Sequence, residues 1–151
     1  MGKRACPSGM SDIANCIEGI LHEPTQIRDD GGVDLSLADV FHVAAPGRID
    51  FGGGELTAAE YAPVETGLRT PEDEYRWWHL GPGQYVIAFN EELSESVSVT
   101  LQPRAELLER GAFHPTVTLD SLQRLPLSVG GAGVLLKENA RVTTVIWADE
   151  G

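Results

Sequence analysis

The sequence predicts a mainly β, jelly-roll-like fold of two sheets, built as a single domain. Short runs of alternating apolar residues recur between glycine- and proline-rich turns along the 151 residues. One internal helix is bracketed by Pro103 in its first turn and Gly111 just past its end. Many short strands, few helices and no repeat period favour this two-sheet arrangement.

Residues 11–21 carry Ile13, Ile17, Ile20 and Leu21 at helical spacing, with Ser11 or Asp12 as N-cap, which predicts a short amphipathic helix. Residues 21–30 are polar, contain Pro24 and are expected as extended chain or loop. Residues 33–43 alternate as a strand. Pro46-Gly47 and Gly52-Gly53-Gly54 then flank a short strand candidate at 48–51. Residues 58–74, rich in Glu, Thr and Pro, form a surface excursion before Tyr75-Arg76-Trp77-Trp78-His79-Leu80 returns to the core. One of the two tryptophans faces outward, because neighbouring strand residues alternate, and it suits a subunit contact. Gly81-Pro82-Gly83 is a tight turn into a strand at 84–90, and Val97, Val99 and Leu101 alternate as the next. After the helix come strands at 113–119 and 125–129. Gly130-Gly131-Ala132-Gly133 reads as a hairpin turn, since it lacks the Lys-Ser/Thr and following helix of a phosphate loop. Strands at 134–136 and 142–147 close the chain.

The apolar fraction of 42% fits a globular domain of this length. No apolar run approaches the ~20 residues of a membrane span, and residues 1–19 lack a signal-peptide apolar region, so the cytoplasm is the expected compartment. Acidic residues number 23 against 11 basic ones, for a net charge of -12. Such a surface repels phosphate backbones and argues against nucleic-acid binding. Only Lys3 and Lys137 are lysines, and an acidic, lysine-poor surface is halophile-like. Cys6 and Cys16 match neither a zinc pattern nor Cys-x-x-Cys, and both are expected reduced. Met10 is an alternative start, which makes residues 1–9 a flexible extension. His22, His42, His79 and His114 are scattered without zinc spacing; His114, near Asp120, is the one that suits a cleft, although a packed, hydrogen-bonded histidine is the favoured reading.

In order along the chain stand Gly31-Gly32-Val33-Asp34-Leu35, then Trp78-His79-Leu80 with Pro82-Gly83 and Tyr85. Pro103-Arg104 with Leu107-Leu108 follows, then a strand ending in Asp120, then Ala140-Arg141-Val142 with Ile146. This ordered set resembles the archaeal dUTPase and dCTP deaminase superfamily over residues 21–147. The resemblance implies a distorted jelly roll (β-clip) with a short N-terminal helix and one internal helix, assembled as a homotrimer with sites between subunits. It implies hydrolysis of dUTP to dUMP and pyrophosphate with Mg2+. Asp120 would activate water, Asp34 would organise the sugar or metal, and Arg104 would contact phosphate. The Gly133 turn would share in binding the nucleotide.

Departures from the pattern define two further readings. Ala105 and Glu106 replace the two serines that follow the arginine, and Glu109 replaces another arginine, with Arg110 one step and ~100° around the helix. A glutamate at this place repels phosphate, whereas hydroxyls at a helix start attract it. After Asp120 the sequence runs through Ser121-Leu122-Gln123-Arg124, without the aromatic hairpin of the family. A non-catalytic or repurposed trimer is therefore the alternative, and a dCTP deaminase ranks third because its acid/base glutamate has no counterpart. Outside the resemblance, Asp34 is also a turn residue, Asp120 also opens a β-turn, and Arg104 also suits a structural ion pair. Glu106 also suits a helix first turn on dipole grounds alone.

Overall fold

A computed structural model describes residues 12–148. Its first elements are a 3-10 turn (Ile13–Cys16), β1 (Ile17–Glu18), α1 (Glu23–Gln26), β2 (Val33–Ala45) and β3 (Glu60–Pro63). β4 (Trp77–Leu80), β5 (Gly83–Phe89), β6 (Glu92–Leu93), β7 (Val99–Pro103) and α2 (Ala105–Glu109) follow. β8 (Ala112–Phe113), β9 (Val117–Leu119), β10 (Leu125–Val129), β11 (Val134–Lys137) and β12 (Arg141–Trp147) complete the set. The mainly β expectation holds, with two short α-helices and a curled antiparallel sheet consistent with a β-clip or jelly-roll-like fold.

The main sheet runs β8-β10-β5-β2-β12-β7-β9, with β3 also on β2; β1–β6 and β11–β4 form separate pairs. β8 and β9 lie at opposite edges of this sheet, yet only His114, Pro115 and Thr116 separate them in sequence. Four peptide steps reach at most about 14 Å. The sheet must therefore curl until its edges nearly meet. The curl wraps a core of Val33, Leu35, Leu37, Ile87, Leu101, Leu127 and Val145, all fully buried. Irregularities in register between Leu37 and Asp39 on β2, and between Arg141 and Thr143 on β12, supply bends along its central strands.

β2 carries the logic of the site. Its first five residues are all buried, although Val33, Leu35 and Leu37 alternate with the polar Asp34 and Ser36. The apolar set fills the core. The polar set lies on the other face, which α1 and the flanking chain cover. Buried polar groups there need partners, and they have them.

The N-terminal helix is shorter than expected and lies in two pieces. Ile13–Cys16 makes one 3-10 turn, Ile17 leaves it in extended conformation, and β1 pairs with β6. Gly19 then adopts φ 89, and a Cβ there would meet Asn90 O at 2.9 Å. Ile13 and Ile17 reach the core by turn and strand, so the apolar spacing was real and its period misleading. Pro24 opens α1 inside the expected loop. Ser11 as N-cap and residues 1–9 as an extension lie outside the described residues; Asp12 makes no side-chain cap. Cys16, expected reduced, is buried and disulfide-bonded. Spacing arguments for zinc and redox motifs do not address such a structural bridge.

Further differences follow from strand pairing. The 48–51 candidate is no strand: only Arg48 makes a bridge, to Thr57. The 113–119 candidate is broken at His114-Pro115, where the chain crosses from one sheet edge to the other. Gly130–Gly133 does turn, with the Gly133 amide donating to Gly130 O at 3.0 Å, but it joins no hairpin. β10 pairs with β5 and β8, while β11 pairs with β4. Gly133 holds φ 75, and a Cβ there would meet Leu80 O at 2.6 Å. Trp78 is buried, and half-buried Trp77 is covered by Arg69, 4.4 Å above its ring, rather than left bare.

Candidate functional site

Asp34 is the most heavily engaged side chain on the buried polar face. Thr144, opposite it on β12, donates its hydroxyl to Asp34 Oδ1 at 2.7 Å. Arg141 Nη1 donates to Oδ2 at 3.0 Å and also to Thr25 O. Arg104 Nε lies 3.3 Å from Oδ2, and Arg28 Nη1 lies 3.5 Å from Oδ1. One buried carboxylate thus faces three guanidinium groups, and its exposure of 1% leaves no open face for a ligand. In this chain Asp34 orders arginines.

Arg104 is the residue it holds most completely, at 12% side-chain exposure. Arg104 Nη1 donates to Arg141 O, and Nη2 donates to Glu106 Oε2 at 3.1 Å. Its buried Nε approaches Asp34 as an ion contact without hydrogen-bond alignment. Glu106 stands in the first turn of α2, where its own backbone N–H and the Arg104 charge draw its carboxyl below the usual range. The Arg28 guanidinium is pushed up by its hydrogen bond to Asp30 and then by the Asp34 charge. Asp30 is in turn drawn down, chiefly by accepting from the Gly32 amide, with burial opposing.

A second buried carboxylate, Glu91, escaped sequence reasoning. Its Oε1 accepts from the Ser36 amide at 2.9 Å, and its Oε2 accepts from Gln26 Nε2 at 2.6 Å and the Ser36 hydroxyl at 2.5 Å. Gln26 also donates to Asp34 O and accepts from the amides of Leu21 and His22. Gln26 and Glu91 therefore fasten α1 over the Asp34 face. A glutamate in an Asn-Glu-Glu turn carries no local sign of burial. Arg141 did carry a signal, in the Ala-Arg-Val motif, but had no role assigned.

Asp120 lies elsewhere. It follows β9, is exposed, and lines a cleft of about 320 Å³ with Glu92, Glu95 and Ser121 among others. β2, β12, β7 and β9 lie side by side, with Asp34 opposite Thr144, Thr144 opposite Gln102, and Leu119 opposite Val99. Three strand spacings across and about four residues along put Asp34 and Asp120 roughly 20 Å apart. The fold brings Asp34 and Arg104 together and keeps Asp120 away. Gly133 lines a third location, a cleft of about 500 Å³ with His79, Gly81, Arg110 and Leu135. His114 is the packed, hydrogen-bonded histidine favoured from the sequence: it is buried, with Nδ1 2.8 Å from Pro115 O and Nε2 2.8 Å from Thr143 Oγ1.

Sequence comparison gives this geometry its context. The chain is 27% identical to a protein of Methanosarcina mazei named probable deoxyuridine 5'-triphosphate nucleotidohydrolase, over 87% of this chain and 77% of that one. A Methanosarcina acetivorans protein of the same name is 28% identical over the same shares. One from Methanococcoides burtonii, also so named, is 26% identical over 70% of this chain and 59% of its own. The relationship is dUTPase-like.

No protein-family model matches the chain. Buried Asp34 and Arg104, the residue before α2, form an ion pair. The residues beside that arginine are Ala105 and Glu106, and Glu106 occupies one arm of its guanidinium. α2 spans only Ala105–Glu109, a little over one turn.

Proposed function

We propose that the chain is a dUTPase-like nucleotide hydrolase that converts dUTP and water to dUMP and pyrophosphate. The likeness to the probable dUTP nucleotidohydrolases, across most of the chain, carries this reading. Asp120 takes the proton of a water whose oxygen bonds to the α-phosphorus; the bond from that phosphorus to the α–β bridging oxygen breaks, and pyrophosphate leaves. Asp120 suits this role because it is exposed at a strand end beside a cleft. Arg104 supplies positive charge toward phosphate, and Asp34 fixes its direction. Gly133, at the wall of the larger cleft, lets the chain pass close beside the base.

Because Asp120 and the Asp34–Arg104 pair are far apart in one chain, the reading requires a homotrimer whose site draws Asp120 from one subunit and Arg104 from another. Magnesium fits as an ion carried in by the triphosphate. Among the described residues no three carboxylate or imidazole groups converge as a metal cage, and Mg2+ ordinarily takes one or two carboxylates besides phosphate oxygens. Glu92 and Glu95, which line the same cleft as Asp120, would supply such carboxylates. The bound ion would neutralise developing phosphate charge.

The second reading is a dUTPase-fold trimer without catalysis. Glu106 favours it, because its carboxylate already occupies the arginine that phosphate would need. Pyrophosphate release from dUTP with magnesium, at low and at molar salt, separates the two. Turnover that disappears in Asp120→Asn supports the hydrolase. No turnover in either buffer, with no dUTP binding by calorimetry, leaves the second reading.

A further inference from the structure

Beside α1 a cavity of about 200 Å³ opens against the turn that leads into β12. Its polar walls are His22, Thr25, Gln26, Ser36, Asn139 and Arg141, and none of these is a carboxylate. Arg141 is anchored there through one nitrogen. Both hydrogens of Nη1 are used, one on Asp34 Oδ2 and one on Thr25 O, each at 3.0 Å. That anchorage fixes the plane of the guanidinium. The other edge, Nε and Nη2, has no partner among the described residues, and 34% of the side chain is exposed. Two parallel N–H donors in a fixed plane form the fork that suits an oxyanion. Arg104 keeps no such edge, since its Nε turns to Asp34 and its Nη2 to Glu106.

The buried network sets a second donor. Glu91 accepts from the Ser36 hydroxyl, so Ser36 Oγ accepts in turn from Asn90 Nδ2, at 2.9 Å. Asn90 Nδ2 also donates to Asn139 Oδ1 at 2.9 Å. Asn139 therefore spends its oxygen on this chain of bonds, and its Nδ2 has no acceptor among the described residues. The acids near the cavity are committed elsewhere. Asp34 lies on the anchored edge of Arg141, Glu106 on Arg104, and Glu91 on Ser36 and Gln26. In a chain of net charge -12, a wall of unspent donors around one arginine is a place where an anion can enter.

We propose that this cavity binds a small oxyanion of the phosphate class, held by the Nε–Nη2 edge of Arg141 and by Asn139 Nδ2. At about 200 Å³ the space falls below the ~300–1,000 Å³ of pockets that enclose drug-sized ligands, so it takes a free ion or one phosphate of a larger molecule. The site goes beyond the proposed hydrolysis, which calls on Asp120 and Arg104 and on neither Arg141 nor Asn139.

Calorimetry with inorganic phosphate on the full chain, at constant ionic strength in chloride, tests it, with pyrophosphate and dUTP as further probes. Wild type should take up one phosphate with a Kd of about 1 mM or tighter. Arg141→Lys keeps the charge and removes the fork. Asn139→Gly removes the amide from a backbone whose φ of 66 glycine accepts. Each should weaken phosphate at least about ten-fold while the far-UV circular dichroism stays that of wild type. Asn139→Gly decides if Arg141→Lys fails to fold. Displacement of phosphate by pyrophosphate or dUTP assigns the site to the phosphate end of a larger molecule, and phosphate that neither displaces assigns it to the free ion. No uptake by wild type at about ten times that concentration overturns the proposal, as does uptake that either folded variant leaves unchanged. Turnover measured in parallel reports separately on hydrolysis.

Discussion

Replacing Asp34 with asparagine tests whether its carboxylate is the electrostatic anchor of the fold's polar face. The change keeps size and leaves an oxygen for Thr144, so it removes charge and little else. Three guanidinium groups then lose their common counter-ion. Arg28 and Arg141 are 41% and 34% exposed, so solvent screens them and each loss costs about 0–1 kcal/mol. Arg104 is 12% exposed and cannot turn to water without leaving β12, so its loss falls in the range of broken buried pairs, about 3–5 kcal/mol. Glu106 remains beside it and offsets part of that. The expected destabilisation is about 3 kcal/mol, a fall in Tm of roughly 6–12 °C for a chain of this size. Urea unfolding at pH 7 and one fixed protein concentration measures it. Burial makes the effect persist in molar salt, where a surface pair would fade. A loss under about 1 kcal/mol would refute the anchoring role, and a loss that vanishes in salt would refute the burial argument.

His114 should make stability depend on mild acid. Burial pushes its imidazole below the usual value, against the raising effect of Pro115 O. The unfolded chain then binds the proton more readily, so the contribution is full above about pH 6.5 and falls as pH drops, by at most ~1.4 kcal/mol per unit. Denaturation of His114→Gln at pH 7 and 5.5 should show a flatter difference than wild type; an equal slope counts against it. Gly133→Ala meets both a positive φ and the Leu80 carbonyl, and should cost about 2 kcal/mol or more in urea melts. Asp120→Asn, by contrast, should lie within about 0.5 kcal/mol of wild type, since its side chain is exposed. A large loss of stability there would show that any loss of turnover reports folding.

What the sequence revealed depended on how local each cause was. Strands at β2, β5, β7, β10 and β12 declare themselves because core-facing residues alternate within a few positions of each other. The proline and glycine around α2 act through adjacent backbone and were equally legible. Long-range causes were not. Ile13, Ile17 and Ile20 fit a helix, but pairing of β1 with β6, some seventy-five residues on, decided the conformation. His114-Pro115 interrupts an otherwise plausible strand because the sheet must close there. Glycines at 130–133 predicted a turn correctly but not which strands would pair on either side. Most partners of Asp34 were hidden for the same reason: Arg104 follows β7, and Arg141 and Thr144 stand on β12, far from Asp34 in sequence.

Arg104 shows how a sequence motif and a working subsite can part. A guanidinium binds phosphate well when two parallel N–H groups are free in one plane. Here Nη1 serves Arg141 O, Nη2 serves Glu106, and Nε is turned in toward Asp34. Its donors are directed inward or onto a neighbouring carboxylate. Glu106 is much the more exposed of the pair, at 57% against 12%, so it is the contact that can open. Asp34 holds the arginine in place whether or not Glu106 releases it. Under the proposed hydrolysis, Glu106 is therefore the group that would have to release Arg104 before phosphate could reach it, while Asp34 keeps the arginine in place.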